Sequence, residues 1–365
     1  MMKLNPAIRV ARADLGCGPS ILLSTEGTQW IDVTKKCPTI GWWLSGRVDL
    51  LELVAYDGPK IQEYELSQWL SPSDLQPVKA FGVTYVASLI ERLVEELAKG
   101  HDHAAGSIRS KLNQNFFQSV RDLVPGSLAA LELRAELLEK NQWSQYLEVG
   151  LGSDPELFTK CSPMSSLGHN SVAGVLVESK WNNPEPEAVL VCDHAGNPVG
   201  VTIGNDLNLR DIEGRSSLLL GRAKDNRGSC VMGPWIRIFD TEFTFDHLRD
   251  EVITLDVKGN DGFSVSESAS LSGLTRGFRA LVQALFDQHD YPDGIFAFTG
   301  SPIAPVWDRD IAGSGFTHQI DDQVKIELSS VGILSHAVKT CDQLDPWSFG
   351  ITDLMQNLAA RGLLR

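Results

Sequence analysis

Two glutamates two residues apart, Glu185 and Glu187, stand at the head of an apolar run, Ala188-Val189-Leu190-Val191-Cys192. On a strand that spacing puts both carboxylates on one face, about 7 Å apart. A turn-rich stretch, Asp193-His194-Ala195-Gly196-Asn197-Pro198, leads into a second extended run from Val199 to Asp206. Two such runs around such a turn predict a β-hairpin. If the turn centres between Ala195 and Gly196, Asp206 falls opposite Glu185 on the same face, with Cβ atoms about 5 Å apart. Three crowded carboxylates repel one another unless protons, solvent or a cation intervene. An all-oxygen set without His or Cys suits Mg²⁺, Mn²⁺ or Ca²⁺ better than zinc. Spacing alone also allows an acidic, solvated hairpin edge on which Pro184 and Pro186 block pairing. Arg210 and Lys224 follow closely enough to hold an anionic substrate beside a metal. The commoner fate of an isolated Arg or Lys is a surface ion pair.

Other chemistries find no footing. The chain has no G-x-S-x-G elbow, no H-E-x-x-H, no P-loop and no G-x-G-x-x-G after a strand. His101 and His103, in Gly100-His101-Asp102-His103-Ala104, could bind a metal, but a solvated loop between helices is the stronger reading. His318 follows a glycine-rich loop and is a weak candidate to face a site.

These residues need elements to position them. Residues 1 to about 75 hold short β-like runs, Ser20 to Leu23 and Gln29 to Val33 among them, and a stronger apolar run at Leu50 to Ala55. The stretch Leu70 to Pro77 has the composition of a boundary. From Val83 to Lys99 the period becomes helical: Val86, Leu89, Ile90, Leu93, Val94 and Leu97 form one stripe, with Thr84, Ser88, Glu91 and Glu95 on the other face. Helical signals continue over Ser107–Phe117 and Ser127–Asn141. After about Gln145 the chain turns to β, interrupted by a helix near Leu274–Gln288 and closed by another at Ile351–Leu364.

The 365 residues are 42% hydrophobic and 22% charged, with a formal charge of −15. Such a surface repels nucleic acid and anionic membrane. No apolar run approaches the 18 or so residues of a membrane-spanning helix. The start lacks a signal-peptide stretch, and the six cysteines are far apart, so we expect a cytoplasmic protein with reduced thiols.

Five stretches, in this order, resemble the fumarylacetoacetate hydrolase superfamily over roughly residues 80 to 335. They are Asn183-Pro184-Glu185-Pro186-Glu187, Gly204-Asn205-Asp206 through Glu213, Ala223-Lys224, Gly233-Pro234-Trp235 and Thr299-Gly300-Ser301-Pro302. The resemblance implies an α+β, β-rich fold: a mixed β-roll with peripheral helices and a small N-terminal module. That divides the chain into residues 1–76 and a catalytic part, 77–365, with a helical insert at about 100–145. It also implies a homodimer or homotetramer. Carried to these positions, it makes Glu185, Glu187 and Asp206 the ligands of Mg²⁺ or Mn²⁺, points Lys224 into the site and puts Arg210 near the substrate. Ser301 stands where the family has a substrate-contacting Thr, and Lys160, in Phe158-Thr159-Lys160-Cys161-Ser162-Pro163, matches a K-P segment less closely.

The departures are informative. Hydrolases of this family carry a His-x-x-Glu pair that activates water; here Glu91 is kept but Ser88 replaces the His, and a Ser does not titrate near pH 7. Glu213 replaces the more common Gln among the substrate contacts. The stretch from Trp143-Ser144-Gln145-Tyr146 onward, Asp225-Asn226, Asp308-Arg309-Asp310 with Gly315-Phe316-Thr317-His318, and Trp347-Ser348-Phe349-Gly350 resemble 2-keto-3-deoxy-D-pentonate (xylonate or arabinonate) dehydratases. That branch implies metal-dependent loss of water from a small 2-keto acid, giving 2,5-dioxopentanoate in a non-phosphorylating pentose pathway. Elimination releases water and needs no residue to activate it. Lys224 as base and Glu91 as acid are the expected pair, with Ser88 on a substrate hydroxyl and Arg309 and His318 as loop contacts. The alternatives are C–C bond hydrolysis of a diketo acid and a non-catalytic keto-acid binder.

Overall fold

The apolar run that follows Glu187 is buried on both faces, and the rest of the chain is arranged around it. The computed structural model describes residues 7–25, 29–111, 120, 123–309 and 315–364. Its strands are β1 Arg9–Asp14, β2 Pro19–Ser24, β3 Trp30–Asp32, β4 Lys60–Ile61, β5 Gln68–Leu70, β6 Val78–Gly82, β7 Glu156–Cys161, β8 Ser171–Val175 and β9 Asn182–Asn183. They continue as β10 Pro186–Cys192, β11 Pro198–Asp206, β12 Asn208–Leu209, β13 Cys230–Ile238, β14 Val252–Lys258, β15 Ser264–Ser270, β16 Ile295–Phe298, β17 Gln323–Leu328 and β18 Gly332–Thr340. A large sheet runs β4-β3-β2-β1-β13-β11-β10-β16-β6-β7, with β5 beside β1. A second runs β15-β14-β17-β18-β8, and β9 pairs with β12.

β10 lies between β11 and β16. Its Ala188 and Leu190 meet Ile253, Leu255 and Ile326 of the second sheet. Its Val189 and Val191 pack with Met232, Phe296, Phe298 and, from the helix Ile40–Leu44, Ile40 and Leu44. Burial on both faces is why the run is continuously apolar rather than alternating. The solvated-edge reading therefore fails: Pro184 precedes the strand and Pro186 is its first residue, a place where a missing N–H is tolerated.

The N-terminal strands continue the same sheet, with Val10 of β1 opposite Ile236 of β13. The stretch read as a boundary is interior: Ser73, Asp74 and Gln76 are buried, and Asp74 accepts the Ile40 N–H at 2.7 Å. Leu50–Ala55, grouped by composition with the β-like runs, is a helix, Leu50–Val54, because the Asp49 side chain caps it by accepting the Leu51 N–H.

The helix Val86–Ala98 is buried on two faces. Leu89 and Leu93 join Leu137, Tyr146 and Leu147 in an apolar cluster, while Glu91, Arg92 and Glu95 are buried opposite. Leu97, expected in the stripe, is 58% exposed. Helices Asp102–Lys111, Leu128–Glu139 and Gln145–Leu151 follow, so strand character begins only at Glu156; Phe117 lies outside the described residues. His103 sits within the first of these helices rather than in a loop, exposed as expected. The later helices are Phe278–Phe286, starting four residues after Leu274, and Ile351–Ala360. Among the described residues no helix is long and apolar enough to cross a membrane.

Candidate metal centre and active site

The hairpin register brings the three carboxylates together as the sequence predicts. Pro186 faces Asn205, Glu187 faces Gly204, and the Asp206 N–H donates to Glu185 O at 3.0 Å. One carboxylate oxygen from each of Glu185, Glu187 and Asp206 lies within 4.8 Å of the others, and all three residues are buried. Each is held differently. Glu185 Oε1 accepts from Arg92 Nη2, and its Oε2 accepts from Lys224 Nζ. Burial works against the Glu185 carboxylate, but Lys224 and Arg92 outweigh it and pull its pKa to about 2. Glu187 Oε2 accepts the Gly300 N–H at 2.6 Å. Burial, then the charges of Asp206 and Glu185, push the Glu187 pKa well up. Asp206 Oδ2 accepts from Lys224 Nζ at 3.0 Å. Its Oδ1 lies 2.8 Å from Lys160 Nζ, at an angle that makes no hydrogen bond.

The donor set fits a hard divalent cation. The cluster comprises the carboxylates of Glu91, Glu95, Glu156, Glu185, Glu187, Asp206 and Glu213, against the cations Arg92, Arg109, Arg210, Lys160 and Lys224. Two more carboxylates than cations are present, and one divalent cation closes that difference. It would also relieve the repulsion from Asp206 and Glu185 that, after burial, raises the Glu187 pKa.

The other expected site residues divide into two groups. Ser88, Glu213, Lys224 and Ser301 line the cleft with the three carboxylates. Ser88 Oγ accepts the Tyr85 N–H and donates to Tyr85 O, capping its helix, while Ser301 Oγ donates to Pro186 O and Ile303 O. Both hydroxyls are already occupied by backbone. Lys160, Arg210 and Glu91 stand behind the cleft wall. Lys160 is fully buried and donates to Leu207 O and Lys224 O. Arg210 Nε donates to Asn183 Oδ1, its Nη1 donates to Pro305 O, and it lies 3.2 Å from Glu95 and 3.8 Å from Glu91. Glu91 is gripped by a two-point fork from Arg109, at 2.8 and 2.6 Å. Arg309 and His318 belong to a separate cluster with buried Asp322 and exposed Asp261. Asp310 lies outside the described residues.

Sequence reasoning missed Arg92, Glu156 and Phe158, which line the same cleft. Burial and the charge of Glu213 raise the Glu156 carboxyl to about 7, against the opposing pull of Arg92 and Lys224. Lys224 Nζ lies 5.8 Å from the centre of the Phe158 ring. Burial favours the neutral amine of Lys224, but Asp206, Glu185 and Glu213 more than offset it and raise its pKa. Side chains fill the cleft: its free volume is about 20 Å³, room for a single water. A wider cleft, of about 950 Å³ between residues 162–172, residues 225–228 and the C-terminal segment, contains none of these carboxylates.

No protein-family model matches the chain. It is 30% identical over 188 residues to the 2-dehydro-3-deoxy-D-arabinonate dehydratase of Saccharolobus solfataricus, covering 51% of this chain and 59% of that one. It is 29% identical over 203 residues to the probable 2-keto-3-deoxyxylonate dehydratase of Haloferax volcanii, covering 55% and 66%. The matches thus span about three fifths to two thirds of these curated relatives. A solved 2-keto-3-deoxy-D-arabinonate dehydratase complexed with magnesium and 2,5-dioxopentanoate superposes with a TM-score of 0.60 at 22% identity, over 91% of this chain and 98% of that one. The fumarylacetoacetate hydrolase of Exiguobacterium antarcticum superposes with a TM-score of 0.60 at 16% identity, over 91% and 99%. The chain therefore has the fumarylacetoacetate-hydrolase fold, and its sequence is similar to 2-keto-3-deoxypentonate dehydratases.

Proposed function

We propose that the protein is a hydro-lyase that dehydrates 2-keto-3-deoxy-D-pentonate to 2,5-dioxopentanoate with Mg²⁺ or Mn²⁺. The observation that carries this reading is the buried carboxylate triad beside Lys224, in a cleft where Ser88 takes the place of a water-activating His. The curated relatives named as dehydratases support it. Residues 77–365 form the catalytic part in this reading, with 1–76 as scaffold and subunit contact.

Glu185, Glu187 and Asp206 would hold the cation, which would supply Lewis acidity to the keto acid. The chain's own groups move the protons. Glu156, poised near 7, takes the C3 proton. Lys224, kept as an ammonium by its carboxylate neighbours, gives a proton to the departing C4 hydroxyl, which leaves as water. Loss of the C3 proton and the C4 hydroxyl leaves a C3=C4 double bond with the C5 alcohol intact. A proton moved from C5 to C3 converts it to a C4=C5 enol, which tautomerises to the C5 aldehyde, so all five carbons are kept. This reverses the expected base role of Lys224 and moves the partner role from Glu91, whose carboxylate Arg109 occupies, to Glu156.

The test is an assay of purified, metal-stripped protein on 2-keto-3-deoxy-D-pentonate with and without added Mg²⁺. Product is followed by mass and by coupled oxidation of a semialdehyde. Formation of 2,5-dioxopentanoate only with metal is expected. Unchanged substrate with metal present overturns the reading, and two smaller acids from a diketo acid would make the enzyme a C–C hydrolase instead. Light scattering tests the homodimer or homotetramer that the family likeness implies, and the six free cysteines fit the reducing cytoplasm we propose for it.

A further inference from the structure

Arg92 stands at the centre of the site, and the proton transfers above give it no part. Its Nη1 donates to Glu95 Oε2 at 2.5 Å and to Glu213 Oε2 at 2.6 Å, and its Nη2 donates to Glu185 Oε1. Lys224 holds the other oxygen of Glu185. Both oxygens of one candidate ligand are thus engaged by cations of the chain itself. Glu187, by contrast, accepts a backbone N–H from Gly300. The guanidinium is buried and comes from the helix Val86–Ala98, Glu213 comes from the short helix Arg210–Glu213, and Glu185 precedes β10. One planar fork therefore fixes three elements against each other.

We propose that Arg92 is a positioning residue that orients Glu185 and Glu213 and competes with the divalent cation for Glu185. This rests on reading Glu185, Glu187 and Asp206 as a cation site, and not on which reaction the enzyme performs. A guanidinium N–H pointed at a carboxylate oxygen occupies a lone-pair direction that a metal would use. It also places a positive charge beside the incoming cation. Removing it frees Glu185 and deepens the negative potential, so metal binds more tightly, while the loss of orientation at Glu213 slows turnover. A merely structural Arg92 gives the opposite sign for the metal, because disordered ligands bind more weakly.

The metal-free, full-length protein is titrated with Mn²⁺ alone, free Mn²⁺ being read by electron paramagnetic resonance, with far-UV circular dichroism to check folding. Arg92→Gln is expected to bind Mn²⁺ about tenfold more tightly, the size of one charge-assisted hydrogen bond. Arg92→Lys keeps the charge without the fork and is expected to fall between the two. Arg109→Gln removes an equal charge that pairs with Glu91 and touches none of the three carboxylates, so its Mn²⁺ affinity stays within about twofold of the parent. Unchanged or weaker binding by folded Arg92→Gln overturns the proposal, as does equal tightening by Arg109→Gln. If Arg92→Gln fails to fold, weaker binding by Arg92→Lys overturns it as well. A parent protein that binds no Mn²⁺ removes the cation site on which the proposal stands, a result distinct from any failure of the dehydratase assay.

Discussion

Glu156 owes its place to an atom that its neighbour lacks. Gly82 of β6 pairs with Glu156 of β7, and a Cβ at Gly82 would come within 1.8 Å of the Glu156 carboxylate. The carboxyl lies across the strand into a cleft shared with other acids, and burial there, with the charge of Glu213, lifts it to about 7. A base must be ionised to accept a proton, so kcat/KM is expected to rise with pH through about 7. Glu156→Gln should abolish that rise and lower turnover by roughly 10²–10⁴-fold; a variant that keeps both the rise and the rate would return the base to Lys224. Lys224→Met should cost a similar factor, roughly 10²–10⁴-fold, while still folding. The triad was legible in the sequence because the period of a strand fixes which residues share a face. Glu156 and Arg92 were not, because each enters the site from an element about 30 to 95 residues away in sequence from the hairpin, with no local spacing to give it away. The place of Glu91 behind the cleft wall is equally hidden, since no spacing shows that Arg109 closes over it.

At the scale of elements, the hairpin strands give Glu187 and Asp206 their backbone, and the turn after β16 supplies the N–H that holds Glu187. The Gly300 N–H that Glu187 accepts is aimed by a left-handed backbone, with φ +90. A Cβ at Gly300 would stand 1.9 Å from Thr84 Oγ1, which itself donates to Thr299 O at 2.7 Å. Gly300→Ala therefore forces the turn away from Glu187, at a cost of roughly 1–3 kcal/mol in urea unfolding. Mn²⁺ affinity should fall with it, since Glu187 loses the donor that orients it. Unaltered Mn²⁺ binding in this variant would show that the turn does not position the ligand. The family resemblance marked Thr299-Gly300-Ser301-Pro302 as a motif through Ser301, whose hydroxyl goes to the Pro186 and Ile303 carbonyls, while the donor to Glu187 is a main-chain N–H. Backbone groups carry no side-chain signature, so only the fold reveals them. Secondary structure was more legible: the hairpin register holds through Val191, and the helices expected over 83–99, 127–141, 274–288 and 351–364 form with ends shifted by a few residues, although Gln145–Leu151 is a helix where strands were expected. An apolar run as short as Leu50–Ala55 fits either period, and a single capping Asp makes Leu50–Val54 a helix.

At the scale of the whole molecule, the metal strands are keyed to the second sheet through a buried histidine. His336 of β18 contacts Ala337 O through Nδ1 and Asn205 Nδ2 through Nε2, at 3.0 and 2.9 Å. Both contacts are hydrogen bonds only when the ring is neutral, with its proton on Nδ1 donating to the carbonyl and Nε2 accepting from the amide. The same Asn205 turns its Oδ1 to the Glu185 N–H at 2.9 Å. A neutral imidazole between two sheets thereby sets the backbone of a candidate metal ligand. No local pattern marks this, because the partners are 131 residues apart. Burial, helped by the charges of His318 and His169 and opposed by the Ala337 carbonyl, lowers the His336 pKa from 6.5 to about 4. The unfolded chain therefore takes up a proton at a higher pH than the folded one. The stability tied to neutral His336 is complete above pH about 6.5 and drains away as pH falls toward 4, by at most roughly 3 kcal/mol. His318, also lowered by burial, adds a pH dependence of the same sign, so the wild-type slope alone does not isolate His336. The difference between wild type and His336→Gln does: urea unfolding at a series of pH values should show the gap between them narrowing from pH 6.5 to 4. A gap that stays constant over that range would mean that His336 titrates in the folded protein as it does in the open chain, and that the link between the sheets tolerates its charge.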